Sequence, residues 1–208
     1  GVRVALNCHH NHMAAETVRA GLPGEGHAVF PADVADTDAA ADLVTKVHHA
    51  FGRLDILVNN AAIYERHDPA ATSFADWRDI WRRTLDANLT GPANLSFLVA
   101  QIMRPQRGCR IVNVSSRGAF RGEPGAPAYG ASKAGLNALG QSLAKAFAPE
   151  KIFVFTLAPG WVETDMAASY LAGPAGDAIR AEIPLGRVAT ADEVARAAAW
   201  LALDAPNR

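Results

Sequence analysis

"LDILVNNAA", residues 54–62, is apolar at Leu54, Ile56, Leu57 and Val58 and turns abruptly polar at Asn59 and Asn60. Near-continuous apolar character without alternation predicts a strand covered on both faces, as in a parallel sheet. The polar stop matters as much. In open parallel sheets, ligands bind beyond the carboxyl ends of the strands.

Moving outward, the pattern repeats. "GVRVALNCHH", residues 1–10, alternates Val2, Val4 and Leu6 with Arg3, Ala5 and Asn7, so the chain opens inside a strand. Ala14 to Ala20 reads as a short helix and His27 to Phe30 as a short strand. Asp36 and Thr37 can cap a helix whose stripe of Ala40, Leu43, Val44, Val47 and Phe51 has the 3.6-residue period and stops at Gly52. Downstream, one long helix is expected from about Phe74 to Met103, opened by Ser73 and Asp76. "RIVNVSS" is a strand, a Gly- and Pro-rich loop runs from Gly118 to Pro127, and a helix follows from about Tyr129 to Phe147. "IFVFTLAPG" is the next strand, and "TADEVARAAAWLAL" a helix with a Thr190/Glu193 capping box. Such alternation predicts βαβ units with right-handed crossovers: an α/β fold with a doubly wound parallel sheet, in one domain.

Composition bounds the function. Half of the 208 residues are hydrophobic, enough for a sizeable core, and the net charge of −1 gives no bulk field to recruit nucleic acid or an anionic membrane. No apolar run is long enough to span a bilayer, and no signal peptide is visible. Cys8 and Cys109 are too few for a disulfide framework, so a reducing compartment such as the cytoplasm is expected. His9, His10 and His12 cluster on a turn without the ligand set of a closed metal site, so no metal is expected. His48 and His49 fall in a helix's last turn, where they suit its dipole.

The chemistry concentrates in "YGASK". Tyr129 and Lys133 are four apart on one helix face. An ammonium beside a phenol favours the phenolate and makes it an acid/base group usable near neutrality. A solvated surface pair is the plain alternative. Ser116, at a strand end, can be brought beside the phenol by the Gly/Pro loop, and the two hydroxyls could then polarise a carbonyl. "DANLTGP" puts Asn88 with Gly91 and Pro92 inside the long helix, which predicts a kink or a functional use. Alone, Asn88 reads more readily as a satisfied helix-surface amide than as a functional one.

Six motifs in order resemble the short-chain dehydrogenase/reductase family over nearly the whole chain: "DV" at Asp33–Val34, "NNAA" at Asn59–Ala62, "NLTG" at Asn88–Gly91, "SS" at Ser115–Ser116, "YGASK" at Tyr129–Lys133 and "PGWVET" at Pro159–Thr164. The resemblance implies a Rossmann-like NAD(P)-binding domain over 1–208 and a hydride transfer between a nicotinamide cofactor and a carbonyl or secondary alcohol. By it, Tyr129 is the general acid/base and Lys133 lowers its pKa and holds the nicotinamide ribose. Ser116 bonds the substrate oxygen, and Asn88 anchors a water in the proton relay. Asp33 and Val34 lie against the adenine, Asn60 and Ala61 line the ribose side, and Pro159, Gly160, Val162 and Thr164 surround the nicotinamide. Residues 163–183, two short helical pieces broken by "GPAG", resemble a mobile substrate lid. Phe155 stands where the family usually has Asn, which implies changed packing under the lid.

Three further expectations come from the resemblance. The family begins with a strand and a Gly-rich phosphate-binding turn before the strand that "GVRVALN" matches, and continues past "LALDAPNR" with another strand. The sequence as given is therefore expected to lack the first βα unit and the last strand. The position that ends the first strand, usually acidic in NAD enzymes, is Cys8 followed by His9, which favours NADP(H) over NAD(H). The family pairs the two helices over 74–103 and 129–147 across a two-fold, implying a homodimer or homotetramer. The similar subgroup includes 3-oxoacyl-carrier-protein reductases, and Arg117, Arg121 and Arg187 are the candidates for a basic surface beside the cleft. A non-catalytic nucleotide-binding or scaffold protein on the same fold, or an inactive fragment, is the competing reading; the Asn88, Ser116, Tyr129 and Lys133 set argues for the enzyme.

Overall fold

The computed structural model describes residues 1–206; residues 207–208, the end of the expected domain, lie outside them. Three parallel strands form the centre: β3 (Ile56–Asn59), β4 (Cys109–Val114) and β5 (Ile152–Leu157), in that spatial order. A separate parallel pair is made by β1 (Ala5–Cys8) and β2 (Ala28–Pro31). The strands are thus all parallel, as the sequence predicts, but β1 and β3 do not pair and the sheet is divided.

Helices bridge the division. α2 (Thr37–Phe51) and α4 (Gly91–Met103) pack on each other, and one apolar cluster joins their Ala40, Val44, Leu95 and Val99 to Ala5 and Phe30 on one side and Leu57 and Ile111 on the other. Asp36 caps α2 by accepting the amide hydrogens of Asp38 and Ala39, and Gly52 closes it in the left-handed conformation, as its sequence predicts. β4 carries the expected two-sided burial, but Val58 on β3 is 44% exposed. Its apolar side chain lines a cavity instead of a core.

The expected single helix over 74–103 is interrupted. α3 (Phe74–Leu85) and α4 are separated by a π-helical turn over Asp86–Thr90, where the Gly91 amide reaches back to Asp86. Asn, Gly and Pro in "DANLTGP" are poor helix formers in an interior; Asn88 falls in the π turn, while Gly91 and Pro92 open α4, where a proline is tolerated. Gly91 is required there: a Cβ would lie 2.5 Å from the Val34 carbonyl oxygen, so α4 could not approach the loop after β2.

α1 (His12–Gly21) flanks β1 and β2, and α6 (Pro127–Phe147) and α9 (Ala191–Leu203) pack against the central strands. The loop over 118–127 holds a one-turn helix, α5 (Gly118–Arg121), and α6 starts two residues before the expected Tyr129. Between β5 and α9 lies a small unit with its own core. β6 (Val162–Glu163) pairs with β7 (Ala189–Thr190), and between them α7 (Asp165–Leu171) and α8 (Gly173–Ala181) close over Ala167, Leu171, Val188 and Trp161. "GPAG" opens α8 rather than breaking a helix. Phe155 sits on β5 opposite Val112, outside that small core.

Candidate active site

β3, β4 and β5 end level. Asn59 is opposite Asn113, and Val114 opposite Leu157, so Asn60, Ser115, Ser116 and Pro159 leave the sheet at one edge. Above that edge is a cavity of about 890 Å³. Ser116, Tyr129, Lys133, Asn60, Ala61, Pro159, Gly160, Val162 and Thr164 all face it. Nine of the expected site residues, scattered over a hundred positions of sequence, thus share one wall.

Tyr129 stands in the first turn of α6. Its phenol is held above its ordinary pKa, chiefly by burial and further by the Glu123 carboxylate, while a hydrogen bond with Ser116 opposes the shift. The expectation that Lys133 depresses this pKa is not met. Lys133 Nζ donates to the Val114 carbonyl at 2.8 Å and lies 5.8 Å from the centre of the Tyr129 ring. Desolvation sets the direction of the shift, and the phenol is protonated at neutral pH. The lysine is only 3% exposed, and burial lowers its own pKa to about 8.

Asn88 lies beneath the cavity wall, fully buried in the π turn. Its Oδ1 accepts from the Ile63 amide at 2.8 Å, and its Nδ2 donates to the Ile63 carbonyl at 2.9 Å and to Ser132 Oγ at 3.2 Å. Ser132 in turn donates to the Tyr129 carbonyl at 2.7 Å. The Asn88 side chain is thus occupied as a clamp between the loop after β3 and the helix of Tyr129.

Sequence reasoning missed a second clamp. His67 is buried, and its backbone amide donates to the Gly125 carbonyl at 2.9 Å. Its Nε2 accepts from the Ala128 amide at 3.1 Å, which leaves Nδ1 to donate to the Glu65 carbonyl at 2.8 Å. One residue, through its imidazole and its backbone amide, ties the loop after β3 to the start of α6 next to Tyr129. A lone His in "YERHD" gives no pattern to find it by. The rings of Tyr64, Trp161 and Tyr170 were also missed; all three line the cavity.

Four expected cofactor residues lie elsewhere. Cys8, His9, Asp33 and Val34 are outside the cavity wall, at the ends of β1 and β2. Val34 is a core residue, so only its backbone is available to a ligand. His9 stacks on His10 and stands 3.7 Å from the Asp33 carboxylate. The strand end that lacks an acid in sequence therefore receives one from the neighbouring strand.

The nicotinamide and its ribose fit the cavity's donor set. The α9 wall is apolar, with Val194, Ala195, Ala198 and Ala199, and into it project the Lys133 ammonium and the Thr164 hydroxyl. Thr164 heads α7 but leaves its own helix uncapped, so its hydroxyl is available. At Gly160 the nearest atom to an added Cβ would be 3.9 Å away, so the wall is open there for a flat ring.

A family model described as enoyl-(acyl carrier protein) reductase matches residues 1–207. The chain is 37% identical to a 3-oxoacyl-[acyl-carrier-protein] reductase of Thermotoga maritima over 184 residues, covering 88% of this chain and 72% of that one. It is 37% identical to a 3alpha-hydroxysteroid dehydrogenase of Mediterraneibacter gnavus over 170 residues, 81% of this chain and 66% of that one. An uncharacterized short-chain type dehydrogenase/reductase of Sinorhizobium fredii is 39% identical over 182 residues, 86% of this chain but 32% of its own length. This chain spans about a third of that relative. The protein belongs to the short-chain dehydrogenase/reductase family, with its 3-oxoacyl-carrier-protein-reductase-like members, and so to the nicotinamide-dependent oxidoreductases.

The Lys133 environment predicts a stability profile. Its folded pKa of about 8 lies below the ordinary 10.5, so between those values the unfolded chain holds more protons and stability rises with pH. From pH 8 to 10, the wild type should gain roughly 1–3 kcal/mol in urea unfolding relative to Lys133→Met. Parallel pH dependences for the two proteins would mean that the amine is not desolvated.

Proposed function

We propose that this protein catalyses hydride transfer between NADP(H) and a carbonyl or secondary alcohol, with Tyr129 as the acid/base. The observation that carries this reading is the convergence of Tyr129, Ser116 and Lys133 on one cavity with the residues suited to a nicotinamide. A bound nicotinamide would supply or accept the hydride at the substrate carbon. In the reducing direction, Ser116 and Tyr129 hydrogen-bond the carbonyl oxygen, and Tyr129, protonated at neutral pH, gives it the proton that completes the alcohol. Lys133 orients the ribose and holds positive charge beside the phenolate left behind. Because the Asn88 side chain is occupied by Ile63 and Ser132, only its backbone carbonyl, in the widened π turn, remains to hold a relay water. Residues 163–183 act as the lid that excludes bulk water. A purely nucleotide-binding protein would have no use for this acid/base set.

The absence of a carboxylate at Cys8 itself supports NADP(H), and His9 is the group that would meet a 2′-phosphate. Asp33 beside His9 brings a carboxylate to that strand end from the neighbouring loop and weakens the preference. Two free cysteines and a near-neutral surface suit a cytoplasmic enzyme. A homodimer or homotetramer is supported by α6 and α4. Ala131, Ala134 and Ala138 form an exposed strip of small residues on α6, and Phe97 on α4 is 62% exposed.

Three measurements test the reading. Tyr129→Phe should reduce turnover by about 10²–10⁴ with cofactor affinity largely kept; near-normal turnover would remove Tyr129 from the chemistry. Wild type should show the higher kcat/KM with NADPH, and Cys8→Asp should move the ratio toward NADH by at least about tenfold, some 1.4 kcal/mol. A ratio that stays put, or a wild type that already prefers NADH, would displace Cys8 from the ribose. Light scattering at micromolar concentration should give a dimer or tetramer, and a strict monomer would contradict the α4–α6 pairing.

A further inference from the structure

We propose that the substrate of this site is a ring-bearing ketone or secondary alcohol, and that Tyr64, Trp161 and Tyr170 determine that specificity. The proposal rests on the oxidoreductase reading above and adds the shape of the molecule. The three rings form an unbroken arc that starts at the acid/base. Tyr64 meets Tyr129 edge to face with centroids 4.9 Å apart, and Tyr170 at 5.5 Å; Tyr170 meets Trp161 at 6.0 Å. The far end is closed by the Arg117 guanidinium, 5.6 Å over the Trp161 ring. The rings come from three different elements: the loop after β3, the loop before β6, and α7 of the lid.

Tyr64 and Tyr170 belong to neither apolar core, and each is half-buried with one side on the cavity. The Tyr64 phenol is pushed up to about 12, first by burial and then by Glu123 and Tyr170, so it stays neutral. A wall of rigid, neutral rings contacts a flat or alicyclic body over a whole face. A flexible acyl chain would have to freeze its rotatable bonds for the same area.

Charge argues in the same direction. A substrate on a phosphorylated carrier calls for a basic rim. Arg187 is already held by both oxygens of Glu193, at 2.7 and 2.8 Å. Arg117 is stacked on Trp161, and Glu123 places a carboxylate in the wall beside Tyr129. Of the three arginines expected to form a basic rim, two are thus engaged, and neither Arg121 nor Arg66, the cation beside Tyr64, lines the cavity.

The test uses the full chain with NADPH and two ketones, 2-tetralone and ethyl acetoacetate. Wild-type kcat/KM should favour 2-tetralone by about tenfold or more, within the range a pocket contact provides. Tyr170→Ala should lower that ratio at least about fivefold, mainly through KM for the ring ketone, and Tyr170→Phe should restore it. If Tyr170→Ala does not fold, Tyr170→Leu serves, with the same expected loss. Equilibrium binding of 2-tetralone, followed by tryptophan fluorescence, should weaken in parallel. Reduction of both ketones without preference, or an unmoved ratio in the variant, overturns the ring proposal and leaves the oxidoreductase reading standing. Tight, Tyr170-dependent binding of 2-tetralone with no reduction of either ketone supports the ring-shaped site and overturns the oxidoreductase reading instead.

Discussion

The hydrogen bond from Asn59 Nδ2 to Asn113 Oδ1, buried at 2.9 Å between β3 and β4, determines where two strands stop. Ser96 of α4 accepts from the same Asn59 nitrogen at 3.1 Å, so a helix is tied to the same point. A one-residue slip of either strand would turn its own amide to the opposite face and leave the partner amide unpaired in the interior. With the register pinned, Asn60 and Ser115 emerge side by side. Everything at the sheet's carboxyl edge takes its position from that level ending.

Tyr129, the proposed acid/base, is then placed by buried polar bonds. Asn88 holds Ile63 through donor and acceptor at once, passes through Ser132 to the Tyr129 carbonyl, and so joins a loop to a helix. His67 does the same from the other side by accepting from the Ala128 amide. Ser115 Oγ donates to the Lys133 carbonyl at 3.1 Å, one turn further on. Rigid placement matters because a misplaced catalytic group loses most of its effect within an ångström. Clamps of this kind are expensive to break, since each would leave a buried polar group unpaired.

Much of the fold was legible because its signals are local. The apolar stripe of α2, its Asp36 cap and Gly52 stop, and the Thr190/Glu193 capping box each depend on residues within one turn, and they stand as read. What could not be read depends on contacts between distant residues. The π turn follows from packing of Gly91 against Val34, which no window around "DANLTG" contains. The exposed Val58 looks like any other core strand residue until its neighbours are known. The site divides in the same way. Motif spacing found Tyr129, Lys133 and Ser116, but the Lys133 bond to Val114 and the aromatic arc needed three dimensions. The balance of burial against charge at Tyr129 is a property of the surroundings, so residue identity alone gave its sign wrongly.

The pairing of Val162 with Ala189 and of Glu163 with Thr190 brings the two ends of the segment that holds α7 and α8 side by side. Whatever lies between them leaves the sheet edge and returns to the same place. Closing a longer excursion between fixed roots adds only about 0.6 kcal/mol for each doubling of its length. The stretch is therefore an exchangeable cassette: it can be lengthened, shortened or replaced by descent or by grafting while Ser116, Tyr129 and Lys133 keep their spacing. Two residues on each side provide the joint.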